Sequence, residues 1–290
     1  MQVPAPFQYE RATSVDHALV LLSRYGPESR VVAGGHSLLP MMKLRLAQPE
    51  ALVDINDLTE LAQIRLDGDH IGIGAMVRHA QLLDSAVAGE HFAILRDAER
   101  VIADPVVRNR GTVGGSLCQA DPSEDLSAVF SALRADLVCQ SQEGRRTIPA
   151  RAFLTGPYET ALRPGELLVE IRLAIRPNGS SYQKVERRAG DWAVAAVGAV
   201  VELSGDTVTE VGIGLAAVGA NRGVAPEAEA YLKGGPATEE RFAEAGRIAA
   251  AHCSPAADQR GPEDYKRHLA GELTVRALRA AAVRARGLEG

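Results

Sequence analysis

Two loops of adjacent glycines constrain this chain more than any other feature of its 290 residues. The first stands in Val31-Val32-Ala33-Gly34-Gly35-His36-Ser37-Leu38-Leu39-Pro40-Met41-Met42-Lys43-Leu44-Arg45. Apolar β-formers run into two glycines, and the pattern then resumes as a helix. Ser37 reads as the N-cap, and Pro40 falls in the first turn, where a missing N–H costs least. Paired glycines remove side-chain bulk and permit backbone angles that other residues resist. Such a turn, feeding a helix N-terminus, aims several N–H groups at one spot, which suits a phosphate. It serves equally as a plain tight turn, so the first pair alone decides nothing.

A second pair changes the balance. Residues 108–126 read Arg-Asn-Arg-Gly-Thr-Val-Gly-Gly-Ser-Leu-Cys-Gln-Ala-Asp-Pro-Ser-Glu-Asp-Leu. Gly114 and Gly115 again follow an apolar residue, with the hydroxyls of Thr112 and Ser116 beside them. Asp121-Pro122-Ser123-Glu124 reads as a helix start, with Asp121 as N-cap, Pro122 at N1 and Glu124 closing a capping box. Two separated glycine-pair loops can grip a diphosphate from both sides.

Ala33-Gly34-Gly35-His36-Ser37 and Thr112-Val113-Gly114-Gly115 resemble the paired AGG(Q/H)S and T(I/V)GG motifs of the FAD-binding medium subunits of molybdenum hydroxylases. That family includes xanthine dehydrogenase and carbon monoxide dehydrogenase. The resemblance runs nearly end to end, through Asp121-Pro122-Ser123-Glu124-Asp125 and Arg187-Arg188-Ala189-Gly190-Asp191. With His36 where many relatives have Gln, the first motif looks closest to the carbon monoxide dehydrogenase-type branch.

Composition excludes several other classes. Net charge is −5, with no long basic block, which argues against a nucleic-acid partner. The three cysteines, Cys118, Cys139 and Cys253, lie far apart without a CxxC pair. This fits a reducing cytoplasm, and it rules out a four-thiolate iron–sulfur site built by this chain alone. The start, Met1-Gln2-Val3-Pro4-Ala5-Pro6, lacks the basic and apolar regions of a signal peptide. The longest apolar stretch, Trp192 to Val201, is too short to cross a bilayer. Peripheral membrane contact is then left to partner subunits.

Taken in order, Ser14 caps a helix over Val15–Arg24, and Arg30–Ala33 and Leu52–Ile55 read as strands. Hairpins follow at Gln63–Leu66 with His70–Ile73 and at Ala135–Gln140 with Arg145–Ile148. Helices are expected near Arg78–Val87, near His91–Ile102 and from Pro122 to about Leu133, and a strand at Leu167–Leu173. Met41, Met42 and Leu44 read as core. The breaker cluster Arg176-Pro177-Asn178-Gly179-Ser180 is the best boundary. Beyond it come strands Ser181–Arg187, Ala193–Leu203 and Thr207–Val218, then helices Ala225–Lys233, Glu239–His252 and Glu263–Arg286.

The expected fold class is α+β. Residues 1–176 form a two-subdomain FAD-binding domain (about 1–56 and 57–176), which the resemblance places in the PCMH/vanillyl-alcohol-oxidase type. Residues 177–290 form a C-terminal domain of the carbon monoxide dehydrogenase medium-subunit type, a three-stranded antiparallel sheet with helices.

Gly212-Ile213-Gly214-Leu215-Ala216-Ala217 fits the dinucleotide pattern G-x-G-x-x-A but fails on context, since it lies inside an alternating β-pattern with no helix opening after it. The histidines (17, 36, 70, 79, 91, 252 and 268) show no metal-ligand spacing and read as surface or capping residues, His36 excepted by its loop. Cys118 is either a small core residue or a neighbour of the cofactor. Asp125 alone reads as a solvent-facing helix residue, and Trp192 as either core or cofactor contact.

The resemblance implies noncovalent FAD. It implies that backbone N–H groups of Gly34, Gly35, His36, Ser37, Gly114 and Gly115 hold the diphosphate. Ala33, Leu38 and Val113 complete the loops, and Thr112 and Ser116 add side-chain hydrogen bonds. Asp125 is then assigned to the ribose or diphosphate region, and Ile102, Leu168, Lys184 and Trp192 to the flavin ring. No catalytic or metal-binding residue is assigned to the chain. The resemblance also implies partners: a molybdopterin-binding large subunit, a small subunit with two [2Fe–2S] clusters, and an external acceptor (NAD, quinone or oxygen), in a cytoplasmic dimer of heterotrimers. Two rivals stand beside this reading, a stand-alone flavin oxidase of the vanillyl-alcohol type and a non-catalytic flavin-binding assembly module.

Overall fold

The computed structural model describes residues 3–220 and 223–288; Met1 and Gln2, which open the amino-terminal segment read above, lie outside them. A parallel sheet forms first, in the order β1 (Gln8–Arg11), β3 (Ala51–Asp54), β2 (Ser29–Val32). Helix α1 (Val15–Tyr25) covers it, capped as expected by Ser14, whose Oγ accepts from the His17 N–H at 3.0 Å. Its buried Val15, Ala18, Leu19, Leu21 and Leu22 meet Val53 and Ile55 in one core cluster. Because β2 and β3 run parallel, their carboxyl ends open side by side, and Ala33–Ser37 leaves the sheet next to Asn56. Helix α2 (Leu38–Lys43) follows the first glycine pair. Ser37 is already helical there and its side chain makes no cap bond. Met42 is buried, but Leu44 is 55% exposed rather than core.

The second sheet is antiparallel, in the order β4 (Ile64–Asp67), β5 (His70–Gly74), β10 (Leu167–Ala174), β6 (Asp136–Ser141), β7 (Gly144–Pro149). Where two helices were expected, three short ones form: α3 (His79–Leu83), α4 (Ala86–His91) and α5 (Ala93–Val101). Ser85 caps α4 through the Ala88 N–H at 3.2 Å, and Phe92 interrupts the path with non-helical backbone. After α6 (Pro105–Arg108), the second glycine pair lies inside a helix, α7 (Val113–Gln119), and not in an open loop. The helix expected from Pro122 begins only at Leu126, as α8 (Leu126–Ala132). Asp121 accepts from the Ser123 N–H at 2.9 Å within a local turn, so it caps no helix. Glu124 takes that role, accepting from the N–H groups of Leu126 at 2.9 Å and Ser127 at 2.5 Å. Helix α9 (Ala150–Phe153) and the small hairpin β8 (Leu154–Gly156), β9 (Glu159–Thr160) complete this part.

The third sheet, β11 (Gly179–Val185), β12 (Ala195–Ser204), β13 (Thr207–Ala216), is antiparallel in that order. It is buried on both faces, which is why Ala195–Val201 reads as a continuous apolar run. Residues 195, 197, 199 and 201 join the core beneath α10 (Pro226–Leu232), α11 (Glu239–His252) and α12 (Glu263–Ala285). Ala196 and Val200 join the core of the preceding part, where α8 packs against β12 and β13. A Cβ on Gly212 or Gly214 would overlap the carbonyl oxygens of Ala132 and Ala128. The G-x-G of β13 is therefore where helix backbone meets strand backbone.

Candidate cofactor site

A cavity of about 910 Å³ opens where the three sheets meet, a size within the usual range for small-molecule sites. The parallel sheet supplies Ala33–Leu38, Met41 and Ile55; the segment from Thr112 to Gln119 supplies the facing wall; Leu168 comes from β10, and Lys184 and Gly190–Trp192 come from the third sheet.

The first loop presents a run of unengaged donors. Among the described residues, the N–H groups of Gly34, Gly35, His36, Ser37 and Leu38 find no acceptor within the protein. Gly35 takes φ +76°, which glycine adopts without strain. Successive N–H groups converging in this way form an anion-binding concavity.

The second loop is different. The N–H of Val113 donates to Val77 O at 2.9 Å, that of Gly114 to Ala75 O at 2.9 Å, and that of Gly115 to Thr112 Oγ1 at 3.1 Å. The expected backbone grip from both sides is thus one-sided: the second pair lies in a helix whose first amides are already satisfied. Its glycines serve packing. A Cβ on Gly114 would stand 2.6 Å from Ala75 Cβ and 2.7 Å from Ala75 O. Thr112 is buried and accepts the cap bond, so the hydroxyl of this wall that is not tied to the helix's own amides is that of Ser116. Val113 does not line the cavity; it is fully buried in the core.

Two further sets of residues hold this wall, and neither was expected at the cofactor site. Asn56 Nδ2 donates to Ala33 O at 2.7 Å, Arg78 donates to Asn56 Oδ1 at 2.8 Å, and the same guanidinium donates to Arg110 O. These bonds tie the first glycine loop to the segment leading into the second. Behind Ser116, His79 Nε2 lies 3.0 Å from Ser116 Oγ, and His79 Nδ1 lies 3.0 and 3.1 Å from the two oxygens of Glu99. His79 is 3% exposed and Glu99 is 0% exposed, so His79 is not a surface histidine. Nothing in the local sequence marks it, because its partners lie on α5 and α7.

Asp125 is buried, not solvent-facing, and both its oxygens have partners in the protein. Tyr182 donates to Oδ1 at 2.6 Å and Lys184 to Oδ2 at 3.0 Å. Lys184 also donates to Val101 O at 3.0 Å. Burial raises the Asp125 carboxyl, against the pull of Lys184 and the Tyr182 hydrogen bond. Burial lifts the neighbouring Glu124 to about 7. Ile102 and Leu168 give the cavity an apolar patch. Cys118 lines it too, with an exposed side chain, which removes it from the core. Trp192 is 43% exposed at the cavity wall, which removes it from the core.

A family model described as "FAD binding domain in molybdopterin dehydrogenase" matches residues 5–174. The chain belongs to that family. A second model, "CO dehydrogenase flavoprotein C-terminal domain", matches residues 180–281 of this molybdopterin dehydrogenase FAD-binding chain. It is 42% identical over 281 residues to the carbon monoxide dehydrogenase medium chain of Hydrogenophaga pseudoflava, covering 96% of this chain and 98% of that one. It is 36% identical to the nicotine 6-hydroxylase medium subunit of Paenarthrobacter nicotinovorans, covering 98% and 100%. Among solved structures it superposes with a TM-score of 0.94 on a chain of the reconstituted CO dehydrogenase from Oligotropha carboxidovorans, at 38% identity and 97% and 99% coverage. The cavity fits the flavin dinucleotide of the family: free amides suit a diphosphate, and apolar side chains and an aromatic edge suit a ring.

Proposed function

We propose that this chain is the FAD-carrying, electron-relaying medium subunit of a three-subunit molybdenum hydroxylase of the carbon monoxide dehydrogenase type. The observation that carries the reading is the run of unengaged amides from Gly34 to Leu38, set opposite the Ser116 hydroxyl in one cavity. The near full-length similarity to two medium subunits supports it. FAD, when bound, supplies the redox chemistry, and the chain's own residues bind and orient it. The amides of Gly34, Gly35, His36, Ser37 and Leu38 hold the diphosphate, with Ala33 shaping the loop and Ser116 giving a hydroxyl from the other side. Gly114, Gly115 and Thr112 build that wall. Ile102, Leu168 and Trp192 flank the ring, and the Asp125–Lys184 pair closes the cavity behind it.

The division into a FAD-binding domain of the vanillyl-alcohol-oxidase type over 1–176 and a C-terminal domain over 177–290 is part of the same proposal. So are the partners: a molybdopterin-binding large subunit and a small subunit with two [2Fe–2S] clusters, in a cytoplasmic dimer of heterotrimers. The complex delivers electrons through this chain to NAD, quinone or oxygen. Relatives of similar identity are named for carbon monoxide and for nicotine, so the oxidised substrate belongs to the large subunit. Among the described residues, no helix is long and apolar enough to cross a membrane.

The test pairs the chain alone with the chain co-expressed beside neighbouring reading frames for the two partners. Both preparations should release FAD on denaturation. Anaerobic addition of CO, purines, aldehydes or N-heterocycles should leave the flavin of the isolated chain oxidised and should bleach it only in a complex. Bleaching of the isolated chain's flavin by one of these substrates would favour a stand-alone oxidase instead.

A further inference from the structure

Glu99, His79 and Ser116 form a line of hydrogen bonds that starts in the core and ends at the cavity. Among the described residues, Ser116 Oγ has one protein partner, His79 Nε2 at 3.0 Å, and Ser116 lines the cavity. The imidazole is buried and packs against Gly111. The N–H of His79 donates to Gly111 O at 3.2 Å, and a Cβ on Gly111 would stand 2.9 Å from His79 Cδ2.

We infer that the proton on His79 Nε2 decides which way the Ser116 hydroxyl points, so that FAD binding through Ser116 is coupled to protonation of the buried Glu99–His79 pair. The inference rests on the reading of the cavity as the FAD site. The Nδ1 side of the imidazole always shares one proton with Glu99, whichever of the two carries it. The second proton sits on Nε2. While it is there, Nε2–H donates to Ser116 Oγ, and the serine O–H is free to donate into the cavity. Once it is lost, bare Nε2 accepts the serine O–H, and only oxygen lone pairs face the cavity. Diphosphate oxygens accept hydrogen bonds and do not donate them, so only the first state holds them.

The surroundings favour the protonated state. Burial opposes a charge on His79, but the Glu99 carboxylate, with Glu124 and Asp125 further off, holds the imidazole above its ordinary value. Burial in turn raises Glu99, against the pull of His79 and of Arg108 on α6. Arg78 precedes His79 in the chain, and Lys184 from β11 neutralises Asp125. A serine, a histidine and a carboxylate in line also resemble a nucleophilic triad. The N–H groups of Gly115 and Ser116 are already bonded to Thr112, so neither amide next to the hydroxyl in the chain serves as an oxyanion donor. Binding, not nucleophilic attack, is the chemistry this line supports.

FAD binding to the full-length apoprotein, followed by flavin fluorescence from pH 5.5 to 9.5, tests the coupling. In the wild type, Kd should be flat at low pH and then rise towards tenfold per pH unit once the pair loses its proton. Ser116→Ala, which leaves the pair intact, should bind more weakly at low pH and lose that rise. His79→Gln should also be flat. Glu124 titrates in the same range in all three proteins, so the difference between wild type and Ser116→Ala isolates the serine. Nitrogen-15 NMR of labelled histidine should show His79 Nε2 keeping its proton to higher pH when FAD is bound. Equal pH slopes in wild type and Ser116→Ala, or an imidazole titration unmoved by FAD, would overturn the coupling and leave the FAD site standing. Failure of the wild type to bind FAD at every pH would overturn the site itself.

Discussion

A Cβ on Gly34 would overlap the carbonyl oxygen of Arg110, so the first glycine loop and the segment leading into the second are packed backbone on backbone. The Asn56–Arg78 bridge reinforces the same contact, reaching Ala33 O at one end and Arg110 O at the other. The spacing between the amide run and Ser116 is thus a property of two segments held together. Gly34→Ala should cost about 1–3 kcal/mol, the range for overpacking that backbone cannot relax, and should lower FAD content at the same time. Thermal unfolding and flavin released per chain measure the two effects. Unchanged values for both would show that the loops are not coupled.

Glu229 anchors the third sheet to the part before it. It is buried, accepts from Arg151 at 2.8 and 2.6 Å, and accepts from the Ile213 N–H at 2.7 Å. Glu229→Ala strands both a mostly enclosed guanidinium and a buried N–H, for a loss of at least about 3 kcal/mol. Glu229→Gln keeps the shape and one acceptor and should lose less. Urea unfolding of the two variants gives the order, and the reverse order would count against the anchor.

Glu124 makes stability depend on pH in a stated direction. Burial raises it from 4.5 to about 7. The folded chain therefore holds a proton that the unfolded chain releases, and the stability this gives is fully present below pH 4.5 and lost as pH rises through about 7. The span corresponds to about 3 kcal/mol. Glu124→Gln should remove this slope, with a constant offset because Gln offers one acceptor for the two N–H groups of Leu126 and Ser127. Denaturation midpoints at pH 5, 6, 7 and 8 should fall in the wild type relative to the variant. Parallel curves would reject the assignment.

Trp192 is the single tryptophan and stands at the cavity wall, partly exposed. Trp192→Ala should change stability by less than about 1 kcal/mol, as exposed substitutions do, while shifting the absorption and reduction potential of bound FAD. An aromatic contact with the ring is worth about 0.5–1.5 kcal/mol beyond burial. An unchanged spectrum, potential and acceptor rate at full FAD occupancy would return Trp192 to a purely structural role.

Much of this was legible from local pattern. Ser14 had to cap α1, the apolar runs of β12 and β13 on either side of Gly205-Asp206 had to pair as a hairpin, and Gly34-Gly35 after a short strand had to make a tight turn. Each depends on neighbours within a few residues, so the sequence by itself determined it. Whether an amide is free is a different kind of question. Gly114-Gly115 reads like Gly34-Gly35, yet the carbonyl of Ala75 and the hydroxyl of Thr112 occupy its donors. Glu124, not Asp121, caps α8, because the turn at Asp121 bonds to Ser123 instead. Gly212 and Gly214 match a nucleotide pattern and instead admit the backbone of α8. Asp125 and His79 read as surface residues and are buried beside Lys184 and Glu99. In these cases the partner comes from a distant segment. Only the tertiary structure decided them, because a buried donor or charge takes its character from whatever group packing brings within about 3 Å.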